Sequence, residues 1–180
     1  MRLDRFKNPE FQRGRSLVVE LLWLVASAVL VASSVPGSRM RTMILRAFGA
    51  RIAAGVVIKP RVRIKFPWRL SVGEHAWIGE GVWIDNLAEV TIGDHVCLSQ
   101  EAYLCTGSHD WAREGFDLIT GPITVETQAW VCARAVVGPR VTIGRGAVLG
   151  LGAVATGDLA PETIFGAAPP VLRKARPPRQ

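Results

Sequence analysis

The apolar positions of this chain keep a six-residue step. Aliphatic side chains recur at Ile52, Ile58 and Ile64, at Val72, Ile78 and Ile84, at Ile92, Leu98 and Leu104, and at Val125, Val131, Val137, Ile143 and Leu149. Four residues after each anchor the side chain is small or β-branched: Val56, Val62, Ala76, Val82, Ala88, Val96, Ala102, Ala129, Ala135, Val141, Ala147 and Ala153, with Trp68 the bulky exception. Such a hexad suits a short strand plus a turn, three of which close one triangular coil. Stacked coils bury a continuous core that no single repeat could bury alone. The pattern therefore predicts an all-β chain folded as a parallel β-helix.

Coil length is also legible. Ile52, Val72 and Ile92 are twenty apart, three hexads plus two residues, whereas Val125 to Ile143 is an uninserted eighteen. Between these two regimes the register breaks. A twenty-residue coil would place the anchor after Ile92 near residue 112, yet it returns only at Val125, so about thirteen residues are looped out. The loop, about residues 110–122, holds "DWAREGFDLITG" and follows "LCTGSHD", which puts His109 at its root. Insertions in a solenoid gather on one face, often the binding face.

The other two histidines act as controls. His75 and His95 occupy the fourth place of their hexads, twenty residues apart, and are expected to stack on one solvated corner of the prism. His109 occupies the sixth place, at a strand end beside a loop, where an imidazole with its ordinary pKa of ~6.5 suits a general base. A histidine that merely anchors the loop is the alternative.

Ahead of the repeats lies "LVVELLWLVASAVLVASSV", stopped by Pro36-Gly37. Its uncharged run, Leu21 to Val35, would be ~22 Å long as a helix at ~1.5 Å per residue, short for a bilayer core of ~30 Å. Packing on the β-helix or lying in a membrane interface is favoured over a spanning anchor or a cleaved signal. Arg39, Arg41 and Arg46 flank the helix and would suit anionic headgroups if it lies on a membrane. The chain thus divides into an N-terminal arm and hydrophobic helix (1–51), the repeats (52–168) and a basic tail (169–180).

Net charge is +7, but residues 1–70 carry 14 Lys/Arg against 3 acids and residues 71–172 carry 4 against 12. Basic ends are compatible with an anionic partner, yet no nucleic-acid motif or aromatic-basic interleaving accompanies them. Cys97, Cys105 and Cys132 show no CxxC and no metal-like grouping, and are expected as buried, reduced thiols of a cytosolic protein.

The hexads from about Ile52 to Ala168 resemble those of the left-handed β-helix acyltransferases, whose handedness departs from the usual crossover preference. "LCTGSHD" is similar to the segment of galactoside and maltose O-acetyltransferases that ends in the catalytic histidine. It is more similar still to exopolysaccharide O-acetyltransferases of the colanic-acid type, as are the hydrophobic helix and Pro67-Trp68. The resemblance implies a left-handed parallel β-helix of hexapeptide repeats with an N-terminal hydrophobic helix and an inserted active-site loop. It implies a trimer that moves an acetyl group from acetyl-CoA to a sugar or glycan hydroxyl without a metal, His109 being the base.

Site residues follow from the same resemblance. Asp85 and Asn86 in "WIDNL" are candidates for acceptor binding, with a hydrogen-bonded asparagine ladder or turn as the alternative. Trp130 matches the tryptophan that borders the acyl donor, unless it simply packs under the loop. The pantetheine arm is expected along Ala133, Gly150, Leu151, Gly152 and Thr156, where small residues permit close approach but turn glycines are also ordinary. The ending "AAPPVLRKAR" departs from the family pattern, so Arg173 and Lys174 stand either as CoA phosphate contacts or as a solvated tail.

Three rivals compete with this reading. Zinc-dependent carbonic anhydrases of the same fold need a histidine pair five residues apart, absent here. A non-enzymatic scaffold would need no acetyl-CoA, and an acetyltransferase for an antibiotic or serine would differ only in acceptor. The expected location is the cytoplasm, peripheral at the inner membrane face if the helix touches lipid.

Overall fold

The computed structural model describes residues 3–8 and 11–167. Three parallel sheets form the sides of a solenoid of about six turns. Face A stacks Arg51–Ile52, Leu70–Val72, Val90–Ile92, Ile123–Val125 and Thr142–Ile143. Face B stacks Val57–Ile58, Trp77–Ile78, Cys97–Leu98, Trp130–Val131, Val148–Leu149 and Ile164–Phe165, and face C stacks Arg63–Ile64, Trp83–Asp85, Tyr103–Cys105, Val136–Val137 and Val154–Ala155.

All fourteen anchors are buried, Ile52 being the most exposed of them at 8%. Most of the second inward column is buried with them, which is what lets short strands close a core without long side chains colliding at the axis. Ala88 is the exception, and the reason lies at the corner from face C to face A. There the two extra residues of each twenty-residue coil are accommodated, and the inward place passes to Phe66, Asn86 and Thr106. Leu70, Val90 and Ile123 supply an added inward side chain on face A.

The bent backbone at this corner is held by side chains. Asn86 is 0% exposed; its Oδ1 accepts from the Phe66 N–H at 2.9 Å and its Nδ2 donates to the Phe66 carbonyl at 2.6 Å. Thr106 Oγ1 donates to the Asp85 carbonyl at 2.9 Å and accepts from the Ala88 N–H at 3.0 Å. Each coil thereby satisfies backbone groups of the coil before it, as buried polar groups require.

Ile92 pairs with Val125, thirteen residues further on than a twenty-residue coil would place it. The excursion is more ordered than a loop over 110–122: it leaves the corner at Gly107, and Gly107–His109 pairs antiparallel with Leu118–Thr120 as a hairpin. The other expected ladder is present too, since the exposed rings of His75 and His95 stack with centroids 5.3 Å apart.

The open N-terminal end of the solenoid is covered by two helices, α1 (Leu17–Ala26) and α2 (Ser38–Ala47). The expected hydrophobic helix is present as α1, and α2 is a second helix that the apolar pattern does not mark. After α1 a π-helical turn, Ser27–Val31, ends the run, and the Arg41 guanidinium of α2 donates to the carbonyls of Val31, Ser33 and Val35. The carbonyls left over as the helix unwinds thus find a partner that folds the chain back. Burial lowers the pKa of Arg41 from its ordinary value, and because the residue is wholly buried it cannot serve as a headgroup contact.

Edge strands of the first coil would otherwise offer open carbonyls to another chain. Trp23 of α1 donates its indole N–H to the carbonyls of Ile64 and Lys65, and Arg46 of α2 donates to those of Ile52 and Ala53. No helix among the described residues is long and apolar enough to cross a membrane.

Candidate active site

His109 is the last residue of the first hairpin strand and pairs with Leu118. Its Nδ1 lies 2.8 Å from the Phe116 carbonyl, which can only accept, so Nδ1 carries the hydrogen and the neutral ring presents Nε2 as a lone-pair acceptor. Phe116 also stacks its ring on the imidazole at 4.2 Å and 2°, while Phe6 of the N-terminal arm meets it edge-on at 5.5 Å. Both tautomer and ring plane are therefore set by neighbours.

Phe116 achieves this from a backbone at φ +52°, a region that a bulky residue rarely adopts. Around it the hairpin end is tied by ions: Arg113 reaches Asp117 at 2.9 Å and Asp110 at 3.9 Å, and the Asp110 N–H donates to the Asp117 carbonyl. Trp111 projects beyond, 82% exposed.

Residues opposite one another on an antiparallel ladder share a side, so His109 faces the same way as Leu118, and Thr120 two residues on joins them. Leu118 and Thr120 line a groove of about 590 Å³ whose other wall is the N-terminal arm at Asn8, Phe11 and Gln12, with Arg69 and Glu89 at its floor. The arm is stapled there: Trp68 Nε1 donates to the Arg13 carbonyl at 2.8 Å, and Arg69 donates to the Gln12 and Leu87 carbonyls while covering Phe11 and Phe66. Burial lowers the pKa of Arg69, and Glu89 opposes the shift.

The predicted residues fall into separate groups. Asp85 lies on face C, ion-paired with Lys65 at 3.0 Å and 3.5 Å from the Tyr103 hydroxyl. Asn86 is the buried rung described above, both ends of its amide engaged by Phe66. Trp130 stands on face B, 46% exposed, its indole N–H donating to Ser99 Oγ at 2.8 Å.

Ala133, Gly150, Leu151 and Gly152 do converge, at the corner from face B to face C, where the Gly152 N–H donates to the Ala133 carbonyl at 3.0 Å. Gly152 holds φ +64°, and a Cβ there would meet nothing within 4 Å, so the corner is open on its outer side. Thr156 is exposed at the opposite edge of face C, beside Gly138 of the preceding coil. Arg173 and Lys174 lie outside the described residues. His109 and the glycine corner thus occupy opposite edges of face C.

The thiols are half-buried rather than fully buried. Burial, with a smaller push from Cys97, raises the pKa of Cys132 and keeps it a poor nucleophile. Burial likewise raises that of the Tyr103 phenol, with Cys105 and Asp85 adding to the shift. No group of three or more His, Cys, Asp or Glu among the described residues is arranged to hold a metal ion. Two participants escaped sequence reasoning, Phe116 and the arm residue Phe6, since neither sits in a repeat.

No family model matches the chain. It is 42% identical over 149 residues to the putative colanic acid biosynthesis acetyltransferase WcaF of Escherichia coli (strain K12), covering 82% of each chain. To the galactoside O-acetyltransferase of the same organism it is 26% identical over 132 residues, 72% of this chain and 65% of that one. Among solved structures, the hexapeptide-repeat acetyltransferase of Vibrio cholerae O1 biovar eltor, complexed with acetyl-CoA, matches with a TM-score of 0.75 at 25% identity over 91% of each chain. A shared fold and this degree of identity make the chain a member of the hexapeptide-repeat acetyltransferases, alongside the colanic acid biosynthesis type.

Proposed function

We propose that this protein transfers an acetyl group from acetyl-CoA to a hydroxyl of a sugar or glycan intermediate in exopolysaccharide biosynthesis, with His109 as general base. The observation that carries the reading is the imidazole itself: Nδ1 is tied to the Phe116 carbonyl, so Nε2 is oriented to take a proton. As the acceptor hydroxyl attacks the thioester carbonyl, its proton passes to Nε2. The C–S bond then breaks, the acyl group stays on the acceptor oxygen, and the proton leaves with the CoA thiolate as free thiol. Thiolate departs readily, so no covalent enzyme intermediate is needed. General-base assistance accounts for about 10²–10⁴-fold, and positioning supplies more.

The groove between hairpin and arm is the acceptor side in this reading, because it opens on the face of the hairpin that bears His109. The open corner at Ala133 and Gly150 to Gly152 is the donor side, with Trp130 on face B ahead of it; Thr156 stands across face C, on the edge that carries His109. In one chain these lie at opposite edges of face C, so a closed trimer, in which one chain's hairpin edge meets its neighbour's glycine corner, completes the site. Asn86 serves it indirectly by holding the corner from which the hairpin springs. A cytoplasmic enzyme whose N-terminal helix touches the membrane surface belongs to the same reading.

The test is acceptor-dependent release of free thiol from acetyl-CoA across a panel of sugars and oligosaccharides. Wild type should release thiol with at least one of them and His109→Ala should not. Equal rates in the two proteins would remove His109 from the chemistry.

A further inference from the structure

The hydrophobic helix does not bury its apolar surface. On α1 and the turn after it, Leu17, Val18, Leu21, Leu22, Leu24, Val25 and Val29 are all more than half exposed. The inward side is held by Trp23, 4% exposed, against the first-coil carbonyls of Ile64 and Lys65. An uncharged stripe of this kind marks an interaction surface rather than ordinary surface scatter.

We infer that this end of the solenoid is an in-plane anchor for an anionic bilayer, in which the α1 stripe dips among the acyl chains and a rim of arginines meets the lipid phosphates. The inference rests on the membrane contact named above and gives it residues, orientation and lipid charge. Three observations select this occupant.

The first is charge. Arg15 is exposed beside Leu22, against Gly49 at the end of α2, and Arg39 is exposed on α2 itself, whereas the Arg46 guanidinium is held by the Ile52 and Ala53 carbonyls. Glu20, the acid of α1, is turned inward with its side chain 11% exposed and is neutralised by Arg13 at 2.8 Å. A cationic border around an apolar helix face is the pattern of a helix lying in a headgroup layer.

Position is the second. The stripe caps the N-terminal end of the prism, where the strands of the first coil are the outermost in all three sheets. Copies closing a ring side by side would not cover that end; they would present their stripes together toward one flat surface. End-to-end pairing of two caps would instead oppose arginine rim to arginine rim.

The third is length. With no helix among the described residues able to span, the stripe can enter a bilayer only from one side. The hairpin leaves the third coil, so stacking at ~4.8 Å per coil sets His109 within roughly 15 Å of the headgroups.

Flotation of the full chain with phosphatidylcholine vesicles, with and without phosphatidylglycerol, tests the inference. Wild type should float with the mixed vesicles, less with the neutral ones, and less again at high salt. Leu21→Gln combined with Leu24→Gln should cut the bound fraction about tenfold, while Arg15→Glu with Arg39→Glu should abolish the preference for phosphatidylglycerol. Wild type that stays behind with both vesicles, or a glutamine variant that floats as well as wild type, overturns it. So does end-to-end self-association released by the glutamine variant without vesicle binding, which would make a second copy the occupant. Acetyl transfer to a soluble sugar should be equal in wild type and the glutamine variant. Wild type that floats but transfers no acetyl group would therefore count against the enzymatic reading alone.

Discussion

His75 and His95 sit at one corner of the solenoid and His109 at another, and the two corners surround an imidazole in different ways. The first two are repeats of each other: both exposed, both in corner turns at φ +55°, each ring stacked on its twin. They face solvent. His109 stands where the repeat fails, its ring plane fixed by Phe116 and Phe6, its tautomer fixed by a carbonyl, and a groove along its side of the hairpin. Regular stacking gives a residue a place; the interrupted register gives it neighbours of a different kind.

Exchange of these residues should separate the two corners sharply. His109→Ala is expected to lower kcat/KM for acetyl transfer by about 10²–10⁴-fold, whereas His75→Ala and His95→Ala should leave it within about twofold. Steady-state thiol release checks all three, and a His75 or His95 effect approaching that of His109 would dissolve the distinction.

Stability should divide differently, along the core rather than the corners. Leu98 is 0% exposed in the middle of face B, and Leu98→Ala should cost about 2–5 kcal/mol in chemical denaturation. Asn86→Ala should cost about 1–3 kcal/mol, because the Phe66 N–H and carbonyl lose their partners inside the prism. If Asn86→Ala proved neutral in stability yet raised KM for the acceptor, the residue would be a direct acceptor contact instead of a rung.

Phe116 sharpens the comparison at smaller scale. Phe116→Gly keeps a residue able to hold φ +52° and so keeps the carbonyl on His109, but removes the stacked ring. A fall in kcat of about 2- to 10-fold is expected from losing that aromatic contact, with KM for acetyl-CoA unchanged. At the bottom of the scale, Arg61→Ala breaks an exposed pair with Glu80 and should change stability by less than about 1 kcal/mol.

The trunk was legible because one physical requirement, burial of a small apolar residue at a fixed interval, acts on every coil. Ile92 and Val125 even reveal how many residues leave the solenoid, since both must land in the same column. What leaves is not legible in that way. The pairing of Gly107–His109 with Leu118–Thr120 has no period to betray it, and the role of Phe116 depends on a backbone conformation that its side chain disfavours.

Asn86 was ambiguous for a related reason. The same amide can bind a sugar or a backbone, and only the displaced inward position at that corner, where Ala88 yields to Asn86, decides its partners. Helix α2 stayed hidden because Arg41, a charged residue in sequence, is a wholly buried one in the fold. Ala133 and Gly150 to Gly152 do share one corner, but the separation of that corner from His109 by the width of face C is a fact of winding that residue types do not encode.

The most direct test of an acetyl-CoA-dependent enzyme with His109 as its base is a calorimetric titration of acetyl-CoA into the purified wild-type protein and into His109→Ala. Both should bind saturably in the micromolar range, since the base is not needed to hold the donor. Folded wild-type protein that shows no binding of acetyl-CoA would contradict the assignment.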